Sequence, residues 1–172
     1  MYTIDERDEV VERTDVPQSS IGAPQPVVLS DEYRLVLAYY LEVDEPGWDG
    51  TTVRVVGPAS ADEPIALVRF DGFVTFMLGP PNDEMSDSHP LAARGFVPYR
   101  VFEIRHSSWV RSLARMNAAH RYRRPEDYAA LTHYVFAFHD TTFECVAESF
   151  TLARRRGALR GVLPEMQALL GW

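Results

Sequence analysis

The sequence predicts an α+β fold: a mostly antiparallel sheet of six or seven strands built from hairpins, with two or three helices packed on one face. Three observations predict it. Apolar residues alternate with period two in several runs, turn-forming pairs such as Asp71-Gly72 separate those runs, and helical periodicity is confined to short stretches that do not alternate with strands as βαβ units would. At 172 residues with 46% hydrophobic and 24% charged residues, the chain is of ordinary globular composition.

Taken in order, residues 1–29 read as an acidic, disordered tail and 30–172 as a single α+β domain. The first 29 residues carry six acids, two arginines and three prolines without a regular apolar period, so they offer too little apolar surface to offset ordering entropy. A short helix over Ile4–Val11 is the one element they suggest. Tyr33, Leu35, Leu37, Tyr39 and Leu41 then alternate as one face of a strand, the turn residues of DEPGWDG follow, and Thr51–Val56 resumes the β pattern, giving a hairpin. Ile65–Phe70 and Phe73–Leu78 flank Asp71-Gly72, the strongest short hairpin signal, because both loop residues tolerate positive φ. The proline-rich acidic stretch 79–90 reads as a long loop able to act as a lid. Tyr99–Ile104 reads as a strand. Ser107 or Ser108 caps a helix running to about Ala119, and Pro125, Glu126 and Asp127 open a second short helix. His133–Phe150 contains two apolar strands joined near Asp140-Thr141, and Gly161–Trp172 reads as an amphipathic helix.

In the 133–150 hairpin, alternation sorts the side chains. Tyr134, Phe136, Phe138, Phe143, Cys145 and Ala147 share one face, which is core. His133, Val135, Ala137, His139, Thr142, Glu144, Val146 and Glu148 share the other. With Asp140 and Thr141 as the loop, His139 neighbours Glu144 on the diagonal and His133 lies opposite Glu148.

His139, Glu144 and Asp140 are therefore the candidate catalytic residues, with His120 reaching the same cleft, since a carboxylate beside an imidazole fixes its tautomer for proton transfer. His133 and His139 lie about 20 Å apart at about 3.3 Å per residue and cannot share a metal ion. No CxxC, HExxH or EF-hand spacing occurs, so neither metal nor cofactor is expected. Cys145 sits among rings, where burial disfavours the thiolate.

All 17 basic residues are arginine, as expected of a GC-rich, bacterial coding sequence. Residues 1–93 hold 18 acids and 5 arginines, whereas 94–172 hold 7 acids and 12 arginines. The net charge of −8 works against binding to nucleic acid or anionic membranes. Arg111, Arg115 and Arg121 are candidates for a small anionic ligand, because guanidinium forks suit phosphate and carboxylate. The N-terminus has no signal-peptide pattern and the one cysteine fits a reducing compartment, so a cytoplasmic location is expected.

Two functions fit. The first is a small acidic soluble protein that binds another macromolecule, an adaptor or immunity-type inhibitor with a basic protein partner. The second is a small-molecule enzyme or ligand-binding protein using the His/Glu cluster on the 133–150 hairpin under the 79–90 loop. Whether the chain is an enzyme stays open at this point.

Overall fold

A computed structural model describes residues 2–43, 51, 55–122 and 124–171. Among these residues nine strands and three α-helices follow one another: β1 (Glu9–Glu12), β2 (Val27–Ser30), β3 (Leu35–Tyr40), β4 (Glu63–Asp71), β5 (Thr75–Gly79), β6 (Val101–Arg105), α1 (Ser108–Asn117), α2 (Pro125–Ala129), β7 (Thr132–Ala137), β8 (Thr142–Ala147), β9 (Ser149–Gly157) and α3 (Leu159–Leu170). The fold is α+β and every strand pairing is antiparallel. The strands divide into two sheets, ordered β1-β6-β7-β8-β5 and β2-β3-β4-β9.

The main core fills the space between the sheets. Leu35, Leu37 and Tyr39 of β3 and Ala66, Val68 and Phe70 of β4 face Tyr134, Phe136, Phe143, Cys145 and Ala147 of β7 and β8. Phe70 alone lies within 6.3 Å, centroid to centroid, of Tyr134, Phe136, Phe143 and Phe150. The alternate residues of β3 and β4, Val36, Ala38, Tyr40, Ile65 and Leu67, meet Leu159, Val162, Met166 and Leu170 of α3. Both faces of these strands are covered, which is why their sequences read as continuous apolar runs. On the outer face of the five-stranded sheet, Phe102, Ile104, Val135 and Ala137 pack under Leu91 and Phe96. The Trp109 ring of α1 meets His133 on that same side, so helices lie outside both sheets. No helix among the described residues is long and apolar enough to cross a membrane.

Asp71-Gly72 does not make the expected hairpin. Strand β4 pairs with β9 and β5 pairs with β8, so the turn pair is where the chain passes from one sheet to the other. Strand β8 makes the reverse passage into β9 at Glu148. The two passages run side by side: Glu148 N–H donates to Asp71 O at 3.0 Å and Val74 N–H to Val146 O at 2.9 Å. Between the pairs Asp71↔Ser149 and Thr75↔Val146 one strand has one residue more than the other. This is a bulge that bends a single long ribbon across the sandwich. Gly72 has φ 62°, and a Cβ there would lie 2.4 Å from Glu148 Cγ. Asp-Gly signals positive φ, and a sheet-switching bulge uses that conformation as readily as a hairpin does.

The structure also differs from the sequence expectation over residues 2–29. Strand β1 pairs with β6, β2 pairs with β3, and Ser19 bridges Leu41. Between them, Ser20 N–H donates to Tyr40 O and Tyr40 N–H to Pro24 O. Scattered apolar residues here each enter a surface built by the rest of the chain, Val16 and Val28 in the main core and Ile4 and Val10 against the outer cluster. Sheet edges supply the backbone partners, so no internal period is required. The helix suggested over Ile4–Val11 is replaced by β1. The strand expected over Thr51–Val56 falls largely on residues outside those described. Arg154, Arg155 and Arg156 lie within β9 rather than after a last strand, and α3 begins two residues earlier than expected.

Gly72→Ala combines a left-handed conformation with a collision against Glu148. It is expected to destabilise the fold by about 1–3 kcal/mol. Adding Glu148→Ala should restore only part of the loss, since the φ strain remains; urea unfolding of the three proteins measures both components.

Candidate functional site

The hairpin formed by β7 and β8 sets the geometry. Its pairs are His133↔Val146, Val135↔Glu144 and Ala137↔Thr142, with Phe138 N–H donating to Thr141 O across the loop. This register is displaced by two residues from the expected one. A two-residue shift preserves the sorting of faces, so the rings point into the core as expected. It changes which polar groups meet: Glu144 neighbours His133 rather than His139.

Glu144 is buried and accepts three hydrogen bonds. His133 Nε2 lies 2.8 Å from Oε2, the Tyr2 hydroxyl donates to Oε2 at 2.7 Å, and His89 Nε2 lies 3.3 Å from Oε1. The surrounding bonds assign both imidazole tautomers. Leu91 N–H donates to His89 Nδ1, leaving Nε2 to carry the hydrogen that faces Glu144. Ser107 Oγ caps α1 by accepting from Trp109 N–H and Val110 N–H, so its own hydrogen points to His133 Nδ1 at 3.0 Å. His133 therefore also presents Nε2–H to the carboxylate. Burial alone would push the Glu144 carboxyl up, but the bonds from His133, His89 and Tyr2 outweigh it and hold the group down at about 2. Burial and the adjacent carboxylate push the Tyr2 phenol far above its ordinary value.

Aromatic rings seal the cluster. Tyr2 stacks on Trp109 at 5.5 Å and meets His133 edge-on at 5.1 Å, while His89 stacks on Phe96 at 4.1 Å. The side chains of His89 and His133 have no exposed surface. The first residues of the chain, the 79–90 loop and α1 thus converge on one carboxylate.

His139 belongs to a different cluster. Its Nδ1 lies 3.0 Å from Asp83 Oδ2 and 2.9 Å from the Tyr99 hydroxyl, and Tyr99 also donates to Asp83 Oδ2. Asp83 N–H in turn donates to His139 O at 2.9 Å. The Tyr99 and His139 donors, Tyr99 first, hold the Asp83 carboxyl below its usual range. Tyr99 has φ 62°, an uncommon conformation for a bulky residue. The His139 side chain is 38% exposed, so solvent reaches it.

The expected pairing of His139 with Glu144 is therefore not formed; the two share no hydrogen-bonding partner. Asp140 is exposed, 3.9 Å from His139 Nε2. His120 is exposed beyond α1, where its Nδ1 accepts from Tyr122 N–H, and it joins neither cluster. Arg111, Arg115 and Arg121 do not converge either. Arg111 Nη2 lies 2.6 Å from Asp5 Oδ2 and 3.7 Å from Asp8 Oδ2, Arg115 is exposed, and Arg121 lies over the Tyr122 ring. Cys145 is buried in the core, and burial pushes its thiol well up. Among the described residues no group of three or more His, Cys, Asp or Glu side chains is placed to hold a metal ion.

Sequence reasoning missed the roles of Tyr2, His89, Asp83 and Tyr99. His89 and Asp83 lie in the loop singled out as a lid, which was the available signal; nothing marked Tyr2 or Tyr99. The chain matches no family model, no curated protein and no solved structure.

Because Glu144 titrates near 2 in the folded protein against an ordinary value of 4.5, its contribution to stability is present above about pH 4.5 and is lost as pH falls toward 2. Glu144→Gln, which turns one acceptor oxygen into a donor facing other donors, is expected to cost about 1–3 kcal/mol at pH 7. It should also flatten the stability profile between pH 5 and 2 in chemical denaturation.

Proposed function

We propose that this protein acts by binding another protein, as an adaptor or immunity-type inhibitor would, and that its partner presents a basic, extended segment. The observation that carries this reading is the character of β5 and the loop beyond it. From Phe73 to Gly79 the sequence FVTFMLG holds no charge and no proline, although β5 is the last strand of its sheet. Edge strands are ordinarily blunted by such residues against pairing with another chain. Val74 and Leu78 at this strand are 43% and 42% exposed, and Met85 in the loop beyond it is 59% exposed.

The charges in the sequence from β5 through the loop after it have one sign. No arginine or lysine occurs between Arg69 and Arg94, whereas Asp71, Asp83, Glu84 and Asp87 do. Elsewhere three arginines of the second half meet acids of the first: Arg111 with Asp5, Arg156 with Asp62, and Arg100 with Glu12. Glu84 and Asp87, in the loop that follows β5, are exposed, and exposed acids steer the approach of a basic segment that can add to an open strand. The reduced Cys145 suits action in the cytoplasm.

The alternative, acid–base chemistry on a small molecule, is favoured by one observation. His139 is held through Nδ1 by Asp83 with its ring open to solvent, and it would act there without Glu144.

The test uses two synthetic peptides of alternating valine and threonine, one flanked by arginines and one by glutamates. NMR titration with the arginine-flanked peptide is expected to shift the amides of Thr75–Gly79, and the glutamate-flanked peptide is expected not to. Glu84→Arg with Asp87→Arg should weaken binding and remove most of its salt dependence, while His139→Ala leaves it intact. Equal binding of both peptides, or shifts elsewhere than β5, would overturn the proposal.

A further inference from the structure

Among the described residues both sheets are open, which gives the fold four edge strands, and their sequences differ. Strand β1 carries Glu9 and Glu12, β2 is four residues long and follows Pro26, and β5 is uncharged. The fourth edge is β9. It runs for nine residues beside β4, and no other described strand meets its outer side. Its sequence SFTLARRRG holds three arginines, and no acid occurs between Glu148 and Glu165. This molecule therefore carries, as one of its own open strands, an extended basic segment of the kind that β5 is suited to take up.

The charge of β9 is only partly met within the chain. Arg155 pairs with Glu165 of α3 and Arg156 with Asp62, both pairs being solvent-exposed and so weakly held. Arg154 is exposed and has no ion pair among the described residues. Like charges oppose the pairing of two edges. Three arginines set two copies of β9 against each other, whereas the charges that follow β5 in the chain, Asp83, Glu84 and Asp87, are all acidic. Only the crossed combination, β9 of one molecule with β5 of another, brings opposite signs together.

We infer that a second copy of this chain docks on β5 through its β9, which adds as a sixth strand to the five-stranded sheet. The inference rests on the reading of β5 as an acceptor edge and names a partner for it. Each copy has one donor strand and one acceptor strand, so the contact is head-to-tail and builds a ring or a chain of molecules. The net charge of −8 opposes this only at long range. In about 0.15 M salt the Debye length is about 8 Å, and the local match of signs outweighs the distant repulsion. A basic segment of another protein has to displace β9 to reach β5, so the copies cover each other's open edges until such a partner arrives.

The experiment follows the whole protein by light scattering and backbone-amide NMR from about 0.01 to 1 mM in about 0.15 M salt. The mass is expected to exceed that of one chain and to rise with concentration, with amide shifts at Thr75–Gly79 and at Ser149–Arg154 together. Arg154→Glu, and separately Glu84→Arg with Asp87→Arg, should each weaken self-association about tenfold. Mixing the two variants should restore it, because the intact β9 of one meets the intact β5 of the other; damage to the fold would not be repaired by mixing. The arginine-flanked valine–threonine peptide, titrated into the Arg154→Glu protein, reads β5 by itself. Peptide shifts at Thr75–Gly79 while the wild type keeps the mass of one chain would overturn this inference and leave the acceptor reading of β5 in place. Loss of both would remove both. Self-association that Arg154→Glu leaves unchanged, or that shifts other strands, would also overturn it.

Discussion

A carboxylate in the interior must be met by donors, and Glu144 imposes that requirement on four separate stretches of the chain. Tyr2 comes from the N-terminus, His89 from the end of the long loop, His133 from the neighbouring strand, and Ser107 orients His133 from the start of α1. An ionised group buried without such bonds would be neutralised or would destabilise the fold by several kcal/mol. The net gain from the finished network is smaller than its cost if broken. Bulk stability comes instead from the ring-filled core, where each fully buried phenylalanine contributes about 1.5–3 kcal/mol. The Glu144 network decides where the covering segments sit, and the core decides that there is something to cover.

This division bears on function. At the Glu144 end of the hairpin's polar face the carboxylate is buried and its three acceptor bonds are in place. At the other end of that face stands the solvent-reached His139, which the same loop meets through Asp83. Closing the loop at both points leaves Glu84, Met85 and Asp87 between them exposed. In the arginine-rich second half, which by itself suggests anion binding, Arg100, Arg111 and Arg156 meet acids of the first half, while Arg105, Arg124 and Arg155 meet acids of their own. Part of the charge asymmetry is thus met within the fold.

The antiparallel α+β class, the core face of the β7–β8 hairpin, the Ser107 cap and the apolar face of α3 were legible because each rests on local periodicity. What escaped were features fixed by distant partners. Asp71-Gly72 announces positive φ but not whether the next strand returns alongside or crosses to another sheet. Alternation sorts His133 and Glu144 to one face, yet a two-residue change of register leaves that sorting intact while exchanging His139 for His133 as the neighbour of Glu144. Tyr2 sits in a stretch without apolar rhythm, and its place is set by a surface that exists only once Trp109 and His133 are assembled. Tyr99 is marked by its backbone conformation alone, which no residue-type pattern shows.

Amide hydrogen exchange on Glu144→Leu, compared with wild type, tests most directly whether this one carboxylate organises the covering segments. The account predicts that protection falls together in residues 2–12, 83–91 and the first turn of α1, while β3 and β4 keep wild-type rates. Unchanged protection in those three segments, or loss spread evenly over both sheets, would contradict it.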